Sequence, residues 1–115
     1  MILTGKAKED FLEYYYNNHS IKYWLSWTYF DDLPLVVKNA LIIEWFDSVG
    51  IGVDSYTRLK RTDKLCWNAD IIAEYDISNG RATINLSLNC KNRQEAIEKA
   101  IEKANEIYNN LWKKH

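Results

Sequence analysis

Apolar and polar side chains alternate along two stretches, about Leu65–Ile77 and Arg81–Cys90, and this alternation limits the fold more than any other feature of the chain. A period of two is typical of a β-strand with one buried face. Asn79-Gly80 between the stretches is the strongest short hairpin signal, because both turn positions need positive φ. A two-residue turn there predicts an antiparallel hairpin with these pairs: Ile77 with Ala82, Tyr75 with Ile84, Ala73 with Leu86, Ile71 with Leu88 and Ala69 with Cys90.

Helical patterns lie on both sides of this hairpin. From residue 92 to about 113 the apolar residues recur every three or four positions, and Asn92 with Glu95 forms a capping-box pattern at the start. Pro34 suits the first turn of another helix, which is apolar on most sides, so we expect it to be largely buried. Gly50 stands where a C-terminal helix glycine belongs.

A first helix and a first strand complete the set of elements. Thr4 can cap a helix of roughly residues 6–17, and residues 51–59 alternate as a strand. A short loop centred on Thr62 would pair Leu59 with Leu65 and Val53 with Ile71. The order α-α-β-β-β-α predicts one α+β domain over residues 1–115, with a three-stranded antiparallel sheet covered by helices on one face.

Charge and residue usage exclude several classes of function. Fifteen basic and sixteen acidic residues give a net charge of −1, so no bulk attraction to nucleic acid or to an anionic membrane follows. No apolar run is long enough to cross a bilayer. The two histidines, His19 and His115, are too few for a histidine-based metal site or catalytic triad. We expect a cytoplasmic protein with free thiols, no cofactor and no enzymatic activity.

The segment from residue 21 to 30 is the strongest indication of an interaction surface. Three Phe, five Trp and eight Tyr make 14% of the chain, so some aromatic side chains can be surplus to the core. The segment fits an extended strand and a helix about equally well. One interpretation makes it an anchor for an unidentified protein partner or for a second copy in a homodimer; the other has it wrap the core. The candidate protein-binding residues are Tyr23, Trp24, Trp27, Tyr29 and Phe30.

RNA binding is the alternative function. The order helix, three antiparallel strands, helix is also that of the double-stranded-RNA-binding domain. The acidic residues that follow early in the last helix, Glu95 and Glu98, argue against it, as does a loop without that family's Gly-Pro-x-His pattern. The candidate nucleic-acid-binding residues are Lys60, Arg61, Lys64, Lys91 and Arg93.

Three pieces of the chain together resemble a family of short phage and prophage proteins of Bacteroidetes. The pieces are Thr4-Gly5-Lys6-Ala7, Leu33-Pro34 followed by Glu44-Trp45-Phe46-Asp47-Ser48-Val49-Gly50-Ile51, and Arg93-Gln94-Glu95-Ala96 running into Ala100-Ile101-Glu102-Lys103-Ala104-Asn105-Glu106-Ile107-Tyr108-Asn109. The family has no assigned activity, so the resemblance implies a setting in the bacterial cytoplasm and no mechanism. The leading hypothesis is therefore a small, non-enzymatic phage accessory protein that binds another protein.

Overall fold

The computed structural model describes the backbone of residues 2–17, 29–59, 65–76, 80–90 and 92–113, with side chains except at 56–59, 65–66, 73–76, 80–89 and 111–113. These ranges contain α1 (Gly5–Asn17), a single 3-10 turn (Phe30–Asp32), α2 (Leu35–Ser48), β1 (Ile51–Leu59), β2 (Leu65–Asp76), β3 (Gly80–Cys90) and α3 (Arg93–Lys113). The predicted class, α+β with an antiparallel sheet, is confirmed.

β1 and β2 pair in the antiparallel register that the apolar residues predicted. Leu59 lies opposite Leu65, and Val53 lies opposite Ile71. Ile51 and Ile71 are buried because alternate residues of each strand share the face that packs against the helices. The register is continuous from Ile51 opposite Ala73 to Leu59 opposite Leu65, so the same face of both strands points to the core along their whole length.

β2 and β3 pair in a register different from the predicted one. Ile71 lies opposite Ile84 instead of Leu88, so its partner comes four residues earlier along β3 (88 − 84). Between Ala69 and Ala73 the shift is four residues throughout, and because an even shift keeps the same residues on the same face, the apolar pattern there does not distinguish the two registers. The pair Asp76 with Gly80 also rules out a two-residue turn at Asn79-Gly80, and the register is interrupted twice along β2.

Capping residues set the ends of α2 and α3 as predicted. Gly50 has φ +86°, and its N–H donates to the carbonyl of Asp47 at 3.3 Å. Glycine takes this left-handed conformation without strain, which is why it ends helices so often. At the start of α3, the N–H of Glu95 donates to Asn92 Oδ1 at 2.9 Å, so Asn92 satisfies one of the free amides of the first turn.

Aromatic rings fill the core where the three helices meet. The ring centroid of Phe11 lies 4.9 Å from that of Phe30 and 5.9 Å from that of Trp45, both edge-on. Trp45 in turn lies 5.0 Å from Tyr108 of α3. Edge-on pairs at these distances add to the stability gained by burial. The predicted apolar stripe of α3 packs against this core, and its buried residues are Ala100, Ile101, Ala104, Ile107 and Tyr108.

Two asparagines of α3 hold the beginning of α1. Asn109 Oδ1 accepts from the N–H of Ala7 at 2.8 Å, and its Nδ2 donates to the carbonyl of Thr4 at 2.9 Å. Asn105 Oδ1 accepts from the N–H of Thr4 at 2.9 Å, and its Nδ2 donates to Thr4 Oγ1 at 3.0 Å. We call these four residues, Thr4, Ala7, Asn105 and Asn109, the amino-terminal clamp.

The clamp changes the predicted role of Thr4. The sequence predicted that its side chain would cap α1, but its hydroxyl accepts from Asn105, and Asn109 accepts from the first-turn amide of Ala7. A cap from another helix satisfies a free amide as well as a local one does. Gly5 between them has φ +59°, and a Cβ there would lie 3.2 Å from Asn109 Nδ2, so the close approach of α3 favours glycine at this position.

Candidate protein-binding surface

The segment of residues 29–36, here called the display segment, presents three large apolar side chains to solvent. The exposed fractions of Tyr29, Leu35 and Val36 are 74%, 45% and 71%, whereas that of Phe30 is 2%. Scattered exposed apolar residues are ordinary, but three within eight residues make a local apolar surface. Such surfaces mark sites of interaction more often than the rest of a protein does.

Backbone hydrogen bonds fix the shape of the display segment. The N–H of Asp32 donates to the carbonyl of Tyr29 at 3.0 Å, and the N–H of Leu33 donates to that of Phe30 at 3.1 Å. The N–H of Phe30 donates to Tyr16 Oη of α1 at 3.3 Å. With Phe30 and Leu33 both buried, little conformational entropy remains to be lost when a partner binds.

A groove of about 570 Å³ lies between the beginning of α2 and the first turns of α3. Its size falls within the range of about 300–1,000 Å³ that is typical of binding pockets. Val36 and Ile97 supply its apolar surface. We call it the α2–α3 groove, and the residues that line it are Val36, Asn92, Arg93, Gln94, Glu95, Ile97 and Glu98.

The charges around the α2–α3 groove are mainly acidic. Glu95 and Glu98 line it, and among the residues that the structure describes there, Arg93 is the one basic residue of the lining. The guanidinium of Arg93 lies 4.7 Å from the centroid of the Trp67 ring on β2, a cation–π contact that directs its charge toward the sheet. The Glu95 carboxylate also lies 3.7 Å from Lys99 Nζ, so Glu98 carries the least compensated charge of the lining.

The structure describes two of the five predicted protein-binding residues. Tyr29 is exposed, as a partner-binding residue must be. Phe30 is 2% exposed and packs on Phe11, so it supports the surface from below and does not offer its ring to a partner. Tyr23, Trp24 and Trp27 lie outside the described residues.

Of the predicted nucleic-acid-binding residues, the structure describes Arg93 alone. Arg93 is exposed at the first position of α3, yet its guanidinium lies over Trp67 and its neighbours in the groove include Glu95 and Glu98. Carboxylates beside a phosphate-binding arginine would repel the backbone of RNA. The other four residues, Lys60, Arg61, Lys64 and Lys91, lie outside the described residues.

Sequence reasoning missed the exposed beginning of α2. The helix was expected to be largely buried, but Val36, Ala40 and Asp47 form an exposed line along it at spacings of four and seven. Asp47 could have indicated this exposed line in the sequence, because a carboxylate is rarely buried and so argues against a helix that is surrounded by the core. Leu35 is exposed as well, since the first turn of α2 extends beyond the residues that pack on it.

The described residues show little that would favour catalysis. Cys90 is buried as predicted, and burial raises the pKa of its thiol, which keeps it in the unreactive protonated form. Asp54 and Asp70 lie directly opposite each other on β1 and β2. Within the described part of the chain, however, no group of three His, Cys, Asp or Glu side chains is arranged to hold a metal ion.

None of the helices among the described residues is both long enough and apolar enough to span a membrane. Comparison of the chain with family models, curated proteins and solved structures gives no significant match.

Proposed function

We propose that this protein is a small, non-enzymatic interaction protein that binds another protein molecule through the display segment and the adjoining α2–α3 groove. The observation that carries the proposal is the combination of a hydrogen-bonded turn at residues 29–33, anchored by buried Phe30 and Leu33, with exposed Tyr29, Leu35 and Val36. A pre-shaped apolar surface with charged residues at its border has the composition of a binding interface.

The setting and the finer architecture belong to the same proposal. The resemblance to phage and prophage proteins supports a role as an accessory protein in the cytoplasm of a bacterial host. The proposed fold is the order α-α-β-β-β-α, with a three-stranded antiparallel sheet covered by helices on one face. That arrangement would place α2 and α3 side by side over the sheet, where their adjoining ends form the groove.

Affinity capture with matched variants tests the proposal. The tagged protein is incubated with a bacterial host lysate to which untagged protein has been added, so that both foreign partners and a second copy are scored by quantitative mass spectrometry. The variants are Leu35→Gln/Val36→Gln, which makes the surface polar without adding charge, and Val49→Gln at the other end of α2 as the control. Val49 is also exposed, at 40%.

We expect at least one protein to be retained by the wild type and by Val49→Gln and to be lost with Leu35→Gln/Val36→Gln. Equal recovery by all three forms would refute a role for this surface, provided that circular dichroism shows them equally folded. A Trp24→Ala/Trp27→Ala variant tests the rest of the predicted aromatic segment in the same experiment. If this variant alone fails to retain the partner, the binding site lies in that segment.

A further inference from the structure

The α2–α3 groove continues into the display segment, because Val36 belongs to both. Leu35 and Val36 are exposed by 45% and 71%, and Ile97 lies partly buried in the lining of the groove. We call these three side chains the apolar strip. The described elements that border it are two helices and a 3-10 turn, so an extended segment finds no strand to pair with here. The recognition mode that remains is a helix that lays its apolar face on the strip.

Carboxylates flank the apolar strip at both of its ends. Glu98 lines the groove on the α3 side, while Asp31 and Asp32 are exposed on the display segment just before Leu35. Glu98 Oε1 accepts from Gln94 Nε2 at 3.2 Å, a bond that positions the carboxylate and leaves its charge in place. Among the residues that the structure describes, no salt bridge joins Asp31, Asp32 or Glu98 to a lysine or arginine. Their charges can therefore pair with cations of a partner.

The positive charges near the apolar strip do not offset these carboxylates. The guanidinium of Arg93 lies over an aromatic ring of β2, and Lys99 pairs with Glu95. Lys38 follows Val36 by two positions, or about 200° around the helix, and so lies on the opposite side of α2. The N-termini of α2 and α3 each contribute about half a positive charge, which is less than a single carboxylate contributes. The strip therefore faces solvent between groups that attract cations.

Tyr29 adds a further contact for a cation. Its side chain is 74% exposed, and it stands two positions before Asp31. Its carbonyl accepts from the N–H of Asp32 at 3.0 Å, which keeps its backbone close to both aspartates. An aromatic ring attracts lysine or arginine to its face, so a basic side chain beside Asp31 or Asp32 gains from the ring as well.

The same carboxylates disfavour two other occupants. A two-fold contact between two copies of this surface would bring Asp31, Asp32 and Glu98 of both copies together, and like charges across an interface lower the affinity. The phosphate backbone of a nucleic acid would meet the same repulsion. A basic segment is attracted where both of these are repelled, so charge complementarity selects it.

We propose that the partner contributes a basic amphipathic helix of another protein. Its apolar face packs on the apolar strip, and its flanking lysine or arginine side chains pair with Glu98 at one end and with Asp31 and Asp32 at the other. This inference rests on the proposed function and names the chemistry of its partner. Burial of the apolar strip supplies most of the affinity, and the charges select the partner.

Fluorescence anisotropy with labelled model helices measures this preference directly on the purified full chain. The basic probe is a peptide of about 18 residues, or five helical turns, with leucine on one face and lysine on the other. The acidic probe carries glutamate in place of lysine, and a third probe has the leucines and lysines in an order without an apolar face. At physiological salt, exposed charges more than about 8 Å apart are largely screened, so nearby groups decide the outcome.

We expect the wild type to bind the basic probe at least about tenfold more tightly than either of the other probes. Leu35→Gln/Val36→Gln should weaken binding of the basic probe by about tenfold, as loss of central apolar contacts does. Val49→Gln, at the other end of α2, should leave the dissociation constant unchanged.

Reversing the charges of the surface provides the decisive measurement. Asp31→Lys/Glu98→Lys places cations at both ends of the apolar strip and should invert the preference, so that the acidic probe binds more tightly than the basic one. Glu9→Lys/Glu13→Lys, on exposed positions of α1, changes the net charge equally and should keep the wild-type preference. All forms must show wild-type circular dichroism. Should the reversed surface fail to fold, Asp31→Asn/Glu98→Gln removes the same two charges and should weaken binding of the basic probe by about tenfold.

Failure of the wild type to bind the basic probe overturns the inference, as does equal binding of the basic and acidic probes or a preference that the surface reversal leaves unchanged. A dimer of the chain alone in sedimentation velocity, lost with Leu35→Gln/Val36→Gln, would make a second copy the occupant and overturn it too. These results leave the proposed function standing if the lysate supplies a protein that depends on Leu35 and Val36. Failure of the proposed function is a separate result, in which neither a foreign protein nor the untagged copy depends on those residues.

Discussion

Replacement of Asn109 by alanine tests the amino-terminal clamp. Asn109 accepts from the N–H of Ala7 at 2.8 Å and donates to the carbonyl of Thr4 at 2.9 Å. Removing an N-terminal cap costs about 1 kcal/mol of stability, and loss of one further hydrogen bond costs about 1 kcal/mol more. Alanine returns at most about 0.7 kcal/mol through its better helix propensity. The expected net loss in the free energy of unfolding is therefore about 1.5 kcal/mol.

The adjacent Asn110 provides the matched control. It lies on the exposed side of α3, so Asn110→Ala gains the same helix propensity and removes no part of the clamp. We expect it to raise the free energy of unfolding by up to about 0.7 kcal/mol. Asn105→Ala should fall between the two, because its bonds to Thr4 are exposed to water and contribute less than buried ones.

Urea denaturation followed by far-ultraviolet circular dichroism and tryptophan fluorescence measures all three variants. A domain of 115 residues has a total stability of about 6–17 kcal/mol, so each variant remains folded and its midpoint can be read at constant m-value. Agreement of Asn109→Ala and Asn110→Ala within about 0.3 kcal/mol, below the scale of one hydrogen bond, would refute the argument that α3 caps α1.

Three further substitutions test single features of the fold. Asn39 is 3% exposed and its Nδ2 has no hydrogen-bond partner, so Asn39→Leu should raise the free energy of unfolding by about 1–2 kcal/mol. Asn68 is equally buried but has a partner, so Asn68→Leu should lower the free energy of unfolding. Urea midpoints that move in the same direction for both variants would contradict this. Asp47 lies on the exposed line of α2, but the neighbouring protein removes part of the hydration of its carboxyl and so raises its pKa above the usual 3.8. The folded state therefore holds that proton more tightly, and the wild type loses stability as the pH rises through that range. Asp47→Asn should stabilise the protein at pH 7, and thermal melts below the usual pKa should show no gain. Asp54 and Asp70 are directly opposed on β1 and β2, and like charges in that position repel each other. Asp54→Asn should therefore add about 0.2–1 kcal/mol to the free energy of unfolding at low salt and less at high salt. A lower free energy of unfolding at low salt would show that the pair is stabilising.

The sequence predicted the elements of secondary structure well because their signals are local. The alternation along residues 51–59 and 65–76, the cap of Asn92 and the ending of α2 at Gly50 all depend on side chains a few positions apart. The same patterns identified the faces of β2 and α3 that enter the core, as buried Ile71 and Ile101 confirm.

The features that sequence reasoning missed depend on distant parts of the chain. Between Ala69 and Ala73 the register of β2 with β3 is shifted by four residues, and the apolar pattern does not distinguish registers that differ by an even number. The cap that Asn109 provides for Ala7 spans 102 positions, and no local pattern links two residues that far apart. The exposure of Val36 likewise depends on where α3 begins, since both border the same groove.

The clamp joins residues near the two ends of the described chain. Thr4-Gly5 contacts Asn105 and Asn109, and Gly5 leaves room for the Asn109 side chain. These residues therefore act in folding, because their contacts hold α1 against α3.

The amino-terminal clamp also has a consequence for how the chain is made. Its hydrogen bonds join positions 101 to 105 residues apart, and a ribosome adds residues at about 5–20 per second. α1 therefore waits on the order of ten seconds before Asn105 and Asn109 have been synthesised. A helix of 13 residues is marginal by itself in water, so α1 gains its lasting form only after Asn105 and Asn109 have been synthesised and can bond to it. A nascent chain that stops before α3 would release an amino-terminal segment with nothing to secure it, and proteases in the cell act on such segments.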